Sequence, residues 1–90
     1  MANAKGSILV IDDEVEICEG LQSLLGSEGF AVTAAGDAES ALERLGEQPF
    51  DLLLLDVNLP GRNGLELLQE LRRRDPNLPI IVITAYGAVD

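Results

Sequence analysis

The chain has 90 residues, of which 16 are acidic and six are basic, and its formal net charge is −10. This length allows one small domain, and the acidic balance argues against direct binding of nucleic acid and favours a cation or a basic partner surface. The longest unbroken aliphatic runs, such as those at residues 52–55 and 80–83, have four residues and are too short to span a membrane. The N-terminus also lacks the apolar core of a signal peptide, so we expect a cytoplasmic protein without membrane contact.

Hydrophobic patterning divides the chain into alternating strands and helices. Short aliphatic runs predict strands that are covered on both faces, and apolar residues at helical spacing predict helices. After a flexible lead-in at residues 1–6, strands are predicted at residues 7–11, 30–35, 52–55 and 78–83, and helices at residues 14–28, 37–46 and 64–74. Gly29 is expected to end the first helix, and Asp37 is expected to cap the second.

The same spacing predicts which helical side chains face the sheet. They are Val15, Ile17, Cys18, Leu21, Leu24 and Leu25, then Ala38, Ala41, Leu42 and Leu45, then Leu65, Leu67, Leu68 and Leu71. Cys18 is the only cysteine in the sequence, so there is no disulfide framework and no cysteine-based metal site, and we expect a buried structural thiol.

The order of the elements, βαβαβαβ, is typical of a parallel sheet with right-handed crossovers. We therefore expect a single α/β domain over residues 1–90, with the more polar second strand at an edge. Residues 84–90 have the pattern of a loop that enters a helix, so we expect the domain to be incomplete at its C-terminus.

Four polar side chains directly follow predicted strands: Asp12, Asp13, Asp56 and Thr84. In a parallel sheet these strands end at one edge, which is where ligands bind in open α/β sheets. Each acid alone fits an ordinary helix cap or a solvated loop residue. Together they predict a functional site, in which Asp56 is the first candidate for chemistry.

The expected cluster of carboxylates indicates a divalent cation. Three carboxylates about 5 Å apart repel one another by about 3 kcal/mol per pair at an effective dielectric constant of about 20. Such a cluster raises a carboxyl pKa or recruits a cation, and oxygen ligands without His or Cys favour Mg²⁺ or Mn²⁺ over zinc. A carboxylate that remains available is able to act as a nucleophile and form an aspartyl phosphate.

Three segments are similar to the successive motifs of the bacterial response-regulator receiver domain: residues 8–14 (ILVIDDE), 56–64 (DVNLPGRNG) and 83–86 (ITAY). The resemblance covers the chain from residue 7 to its end. It implies a flavodoxin-like fold of three layers, with a parallel sheet of strand order 2-1-3-4 that lacks the family's last strand and terminal helices.

The resemblance also implies a role for each matching residue. Asp56 would be the phosphoacceptor, attacking the phosphohistidine of a sensor kinase or a phosphotransfer protein. Asp13 would bind Mg²⁺ directly, Asp12 would help through bound water, and Asp56 and the backbone carbonyl of Asn58 would complete the protein's share of the metal site.

Three further residues carry roles in the same resemblance. Thr84 would offer its hydroxyl to a phosphoryl oxygen, with the backbone amide of Ala85 assisting, and Tyr86 together with Asn58 would tune dephosphorylation. The family's lysine at the end of a fifth strand has no counterpart. The only lysine, Lys5, precedes the first strand and is separated from the acidic end by about 17 Å of extended chain, so it cannot fill that role.

The resemblance implies an output domain beyond residue 90, and residues 84–87 have a short likeness to receivers of sigma-54-dependent transcription activators. The chain would be a signalling domain that phosphorylates itself, not an enzyme that turns over an external substrate. Without a fifth strand, the fourth would be an exposed aliphatic edge, so we expect self-association through it.

Two other functions are compatible with parts of the sequence. The missing lysine leaves open a receiver-like module that docks partners and is never phosphorylated. A hydrolase of the haloacid dehalogenase type is disfavoured, because Asp12 and Asp13 are adjacent and Asp56 is followed two positions later by Asn58, which does not match that family's Asp-x-Asp. Nucleotide binding has no glycine-rich motif to support it.

Overall fold

The structure, a computed structural model, describes residues 5–59 and 64–83. Its elements are β1 (Ser7–Ile11), α1 (Val15–Ser27), β2 (Ala31–Ala35), α2 (Ala38–Glu47), β3 (Leu52–Asp56), α3 (Gly64–Arg74) and β4 (Ile80–Ile83). All seven predicted elements are present, and their ends lie within two residues of the predicted ones. No helix in the described part of the chain is long and apolar enough to cross a bilayer.

The four strands form one parallel sheet in the order β2-β1-β3-β4, which confirms the flavodoxin-like arrangement. The central strand β1 pairs with β2 on one side and β3 on the other, so that Ile11 lies opposite both Ala35 and Leu55. On the far side of β3, Asp56 lies opposite Ile83 of β4. This register brings the carboxyl ends of β1 and β3 to the same level.

The core consists of two apolar clusters, one on each face of the sheet. Alternate side chains of the central strands supply both, because successive residues of a strand point to opposite faces. The larger cluster has Leu9, Ile11, Leu53 and Leu55 at its centre, together with side chains of α2 and α3, and the smaller has Ile8, Val10 and Cys18. Burial on both faces explains why these strands read as unbroken aliphatic runs.

The helix ends follow the predicted local chemistry. Gly29 has a φ of +103° and follows α1, a conformation that glycine adopts without the steric cost of a side chain. The side chain of Asp37 accepts a hydrogen bond of 2.8 Å from the Ser40 N–H and caps α2. Further upstream, the Lys5 N–H donates to the Gly29 carbonyl at 2.8 Å, so the chain is anchored to this turn before β1 begins.

Fewer side chains of α1 and α3 face the sheet than the sequence predicted. Ile17 and Leu24 of α1 are 42% and 61% exposed, and Leu65 of α3 is 54% exposed. Val15 of α1 is also exposed. A helix that lies on a sheet buries only a narrow stripe of side chains at a spacing of about 3.6 residues. On α1 this stripe contains Cys18, Leu21 and Leu25, and the exposed residues of α1 lie at its margins.

We expect Gly64→Ala to destabilise the fold by about 1–3 kcal/mol, because overpacking forces the backbone to move. A Cβ added at Gly64 would lie 2.4 Å from the Val57 Cα, and the Gly64 N–H already donates to the Val57 carbonyl at 3.2 Å. Urea unfolding followed by circular dichroism measures the effect. Gly20→Ala in α1 is the matched control, since an added Cβ there has no atom within 4 Å, and it should stabilise by about 0.5–1 kcal/mol. An unchanged unfolding midpoint for Gly64→Ala would contradict the close approach.

Candidate functional site

Three acidic side chains meet where β1 and β3 end. The carboxylates of Asp12, Asp13 and Asp56 each have an oxygen within 4.8 Å of the others. Asp12 follows β1 directly, and Asp56 is the last residue of β3, so the parallel pairing of these two strands brings the acids together. Asp12 and Asp56 are 6% and 4% exposed, whereas Asp13 is exposed to solvent. The cluster therefore has a buried base and an open side.

Asp12 is held by hydrogen bonds at its amide, its side chain and its carbonyl. Its N–H donates to the Ala35 carbonyl of β2 at 3.0 Å. Its Oδ1 accepts from the Glu14 N–H at 2.9 Å, and its backbone carbonyl accepts from the Cys18 thiol at 3.3 Å. These bonds fix the turn from β1 to α1 against both a neighbouring strand and the following helix.

Asp56 is held by a turn of the same kind. Its Oδ1 accepts from the Asn58 N–H at 3.0 Å, as the Oδ1 of Asp12 accepts from the residue two positions on. Between them, the Val57 N–H donates to the Ile83 carbonyl of β4 at 3.4 Å, and the Val57 carbonyl accepts from the Gly64 N–H. Asparagine and aspartate side chains commonly stabilise turns by bonding the backbone two residues later. Here the two turns also fix the orientation of the Asp12 and Asp56 carboxylates.

Burial and mutual repulsion raise the pKa of Asp12. Burial of its carboxyl is the largest cause, and the negative charges of Asp56 and Asp13 add to it, while the hydrogen bond from Glu14 acts in the opposite direction. Burial likewise raises the pKa of the Cys18 thiol, with the charges of Asp12 and Asp13 adding to the effect. Cys18 is therefore a protonated hydrogen-bond donor at neutral pH.

The donor set fits a hard divalent cation. It consists of carboxylate oxygens, two of them on the buried residues Asp12 and Asp56, and burial together with the neighbouring charges raises the pKa of Asp12. Mg²⁺ and Mn²⁺ take such oxygen ligands and keep positions for water or for phosphate oxygens. A cation bound here would relieve the repulsion that raises the pKa of Asp12.

Within the described residues, pockets lie at both ends of the sheet. One, of about 240 Å³, adjoins the acids and lies between α1 and β2, where Cys18 and Ala34 contribute to its walls. The other, of about 220 Å³, lies between the carboxyl ends of α2 and α3 and is walled by residues such as Phe50 and Leu71. The second pocket contains none of the three clustered acids, so we place the candidate functional site at the end of the sheet where the first pocket lies.

The structure brings together the predicted acids Asp12, Asp13 and Asp56, and it places the exposed Asn58 beside them through its N–H bond to Asp56. The predicted residues Thr84, Ala85 and Tyr86 lie outside the described residues. Sequence reasoning missed the thiol contact with Asp12 and the approach of Gly64 to Val57. A buried Cys18 was predicted, but its hydrogen-bond partner depends on the path of the intervening turn.

Lys5 lies at the other end of the sheet from the acids. Its backbone precedes β1, and its ammonium group lies 6.0 Å from the centre of the Phe30 ring. Its aliphatic carbons approach Gly29. The expectation that this lysine cannot reach the acidic edge is therefore consistent with its position.

Comparison with known proteins identifies what the chain resembles. The family model for the response regulator receiver domain matches residues 8–90. The transcriptional regulatory protein ZraR of Klebsiella oxytoca is 38% identical over 90 residues, which is 100% of this chain and 20% of ZraR. NtrX from Brucella abortus, solved in complex with ADP, superposes with a TM-score of 0.87 at 38% identity over 91% of this chain and 19% of NtrX. The chain thus spans about a fifth of the length of these two relatives.

A third relative is similar over most of its own length. TrrA from Thermotoga maritima, in complex with Mg²⁺ and BeF, has a TM-score of 0.84 and 40% identity over 90% of this chain and 70% of that one. TrrA in complex with the histidine kinase ThkA gives a TM-score of 0.85 and 39% identity over 91% of this chain and 71% of that one.

We expect Asp12→Asn to stabilise the metal-free chain at neutral pH. The pKa of Asp12 in the folded chain is raised above its ordinary value of 3.8, so the folded state favours the protonated form, and stability falls as pH rises through this range. Removing the charge should raise the free energy of unfolding in EDTA at pH 7 by about 1 kcal/mol, which shifts Tm upward by about 4–8 °C for a domain of this size.

Thermal unfolding in EDTA and in excess Mg²⁺ tests this expectation. Saturating Mg²⁺ should stabilise the wild type more than the variant, and the difference in Tm should shrink or change sign. Asp13→Asn is the control, since its side chain is exposed and should give a smaller gain in EDTA. A lower Tm for Asp12→Asn than for the wild type in EDTA would contradict the repulsion.

Proposed function

Because the chain belongs to the response regulator receiver family over residues 8–90, we propose that it receives a phosphoryl group on Asp56 from the phosphohistidine of a sensor kinase or a phosphotransfer protein. The observation that carries this proposal is the meeting of Asp12, Asp13 and Asp56 within 4.8 Å at the carboxyl edge of the sheet. The buried Asp56 carboxylate, oriented by the Asn58 N–H, would be the nucleophile, and together with Asp12 and Asp13 it would form the cation site.

The transfer forms one bond and breaks another at phosphorus. Oδ1 of Asp56 accepts the Asn58 N–H, and we assign the attack to the other oxygen of the same carboxylate. As the new O–P bond forms, the N–P bond of the phosphohistidine breaks, and the nitrogen keeps the electron pair. Catalysis of phosphoryl transfer consists mainly of positioning and charge stabilisation, and the turn at residues 56–58 supplies the positioning.

Bound Mg²⁺ would supply charge neutralisation for the phosphoryl oxygens. In this proposal Asp13, which is exposed, would bind the cation directly, and Asp12 would act through bound water, as the family resemblance implies. Asp56 and the Asn58 carbonyl would contribute the remaining protein oxygens. The relative TrrA was solved in complex with Mg²⁺ and BeF, which supports a role for this cation in the proposal.

Three residues outside the described part of the chain complete the proposal on the strength of the family resemblance. Thr84 and the Ala85 amide would bind a phosphoryl oxygen, and Tyr86 with Asn58 would tune dephosphorylation. Since the nucleophile is a side chain of the protein itself, the product is a modified chain, and we propose a signalling domain without turnover of an external substrate.

Partners are proposed from the relatives and from one surface. The complex of TrrA with the histidine kinase ThkA supports a kinase partner, and ZraR, a transcriptional regulatory protein, supports an output domain that controls transcription. On α1, Ile17 and Leu24 are exposed apolar side chains that lie two helical turns apart on the same face. Exposed apolar surface of this kind is typical of protein contact sites.

A docking module that is never phosphorylated is the second candidate. The observation in its favour is the pair of exposed apolar side chains Ile17 and Leu24 on α1, a surface that needs no phosphorylation to contact a partner. A module of this kind has no need of Mg²⁺, so a metal titration separates the two functions.

We also propose that the 90-residue chain associates with itself through β4. Within the described residues β4 pairs with β3 alone, and its Ile81 and Val82 are 51% and 45% exposed although they point to opposite faces. An exposed aliphatic edge strand is a template for pairing with another chain. Sedimentation should show association that grows with concentration, and a monomer across the whole concentration range would contradict it.

Intact mass after incubation with Mg²⁺ and a small phosphodonor should show one phosphoryl adduct on the wild-type chain. Asp56→Asn should show none, because the amide oxygen is a poor nucleophile, and EDTA should abolish the adduct in the wild type. Asp51→Asn is the matched control, as Asp51 lies at the other end of β3 and accepts the Ser7 N–H, and it should be modified like the wild type.

Each pattern of adducts has a distinct meaning. An adduct on the wild type and on Asp51→Asn alone would assign the nucleophile to Asp56. Equal modification of Asp56→Asn would overturn that assignment. No adduct on any chain, with no Mg²⁺ binding by calorimetry, would favour the docking module.

A further inference from the structure

The backbone carbonyl of Asp12 is a buried acceptor that lies just beyond the paired part of β1. The last β1–β2 pair is Ile11 with Ala35, and the Asp12 N–H still reaches the Ala35 carbonyl. The Asp12 carbonyl accepts instead from the side chain of Cys18 at 3.3 Å, and both residues are buried. Buried carbonyls are nearly always paired, and among the described residues this thiol is the partner that the structure provides.

This carbonyl belongs to the peptide unit that joins the two acids. A peptide unit is planar, so the direction of the Asp12 carbonyl also fixes the direction of the Asp13 N–H and the start of the Asp13 backbone. The side chain of Asp12 is fixed separately by the Glu14 N–H. By holding the Asp12 carbonyl, the thiol therefore helps to set the position of the Asp13 carboxylate relative to the Asp12 carboxylate.

We propose that Cys18 is a positioning residue for the cation site, and that its thiol holds the Asp12–Asp13 peptide in the orientation that keeps both carboxylates on one cation. The inference rests on the proposed Mg²⁺-dependent function and adds a residue to it. Cys18 is neither a ligand nor a reactive group here. It acts through the backbone, from the first turns of α1, whose Cys18 N–H already bonds the Glu14 carbonyl at 3.1 Å.

A purely structural role for Cys18 makes a different prediction. Its side chain packs with Ile8 and Val10 in the smaller apolar cluster, so removal of the sulfur would lower stability in either case. Leu25, two helical turns further along the same face of α1, packs against that cluster as well. Leu25→Val therefore measures loss of packing without loss of the hydrogen bond to Asp12.

The test is calorimetric titration of the 90-residue chain with Mg²⁺ alone, together with urea unfolding of each variant. Cys18→Ala should weaken the Mg²⁺ affinity about tenfold, about 1.4 kcal/mol, the size of one hydrogen bond. Cys18→Ser, which keeps a donor at the same place, should stay within about threefold of the wild type. Leu25→Val should be less stable than the wild type and bind Mg²⁺ equally well.

Two calorimetric outcomes overturn the proposal. One is a Cys18→Ala chain that binds Mg²⁺ as tightly as the wild type. The other is an equal loss of affinity in Cys18→Ala and Cys18→Ser, or in Cys18→Ala and Leu25→Val, because loss of packing would then explain the effect.

A metal-independent measurement separates this inference from the proposed function. The amide resonance of Asp13 in metal-free protein should shift in Cys18→Ala and return toward the wild-type position in Cys18→Ser. If the wild type binds no Mg²⁺, the proposed function is wrong. The Asp13 amide resonance in metal-free protein then still tests whether the Cys18 thiol orients the Asp12–Asp13 peptide. An Asp13 resonance that is the same in all three chains would overturn it.

Discussion

The site depends on holding three carboxylates closer together than they would stay in solution. Asp12, Asp13 and Asp56 lie within 4.8 Å of one another, and two of them are buried. Their like charges repel one another, and burial adds to the cost of the charge on Asp12. The opposing forces are the pairing of β1 with β3, the apolar clusters on both faces of the sheet and two backbone N–H groups that bond the buried carboxylates. The fold therefore stores electrostatic free energy that a cation would release.

This arrangement explains why the acids lie on the inner strands. β1 and β3 each have a neighbour on both sides, and their central side chains are among those fully buried. Local opening is rarest in such strands and most frequent at edges and loops. Acids placed at β2 or β4 would separate under their own repulsion more easily. At the ends of β1 and β3 the repulsion acts against the most firmly held part of the sheet.

Much of this could be predicted from the sequence, because each inference used a short stretch of chain. The aliphatic runs identified the strands, Gly29 and Asp37 marked helix ends, and the position of Asp12 and Asp56 after buried strands placed them at one edge. Whether a helical leucine is buried depends on the angle at which the helix lies on the sheet, which explains the wrong expectations for residues such as Leu24 and Leu65. The Cys18 contact could not be predicted either, since it joins two residues through a turn whose path is set by the whole sheet.

The approach of Gly64 to Val57 has a consequence for how the sequence is able to diverge. The atoms that a new side chain at position 64 would meet are the Cα, carbonyl carbon and carbonyl oxygen of Val57, all of them backbone atoms present whichever amino acid stands there. No compensating substitution at position 57 can therefore make room, and the two positions have no reason to covary. Selection would retain glycine at 64 on its own, while position 57 drifts among side chains that suit the end of a strand.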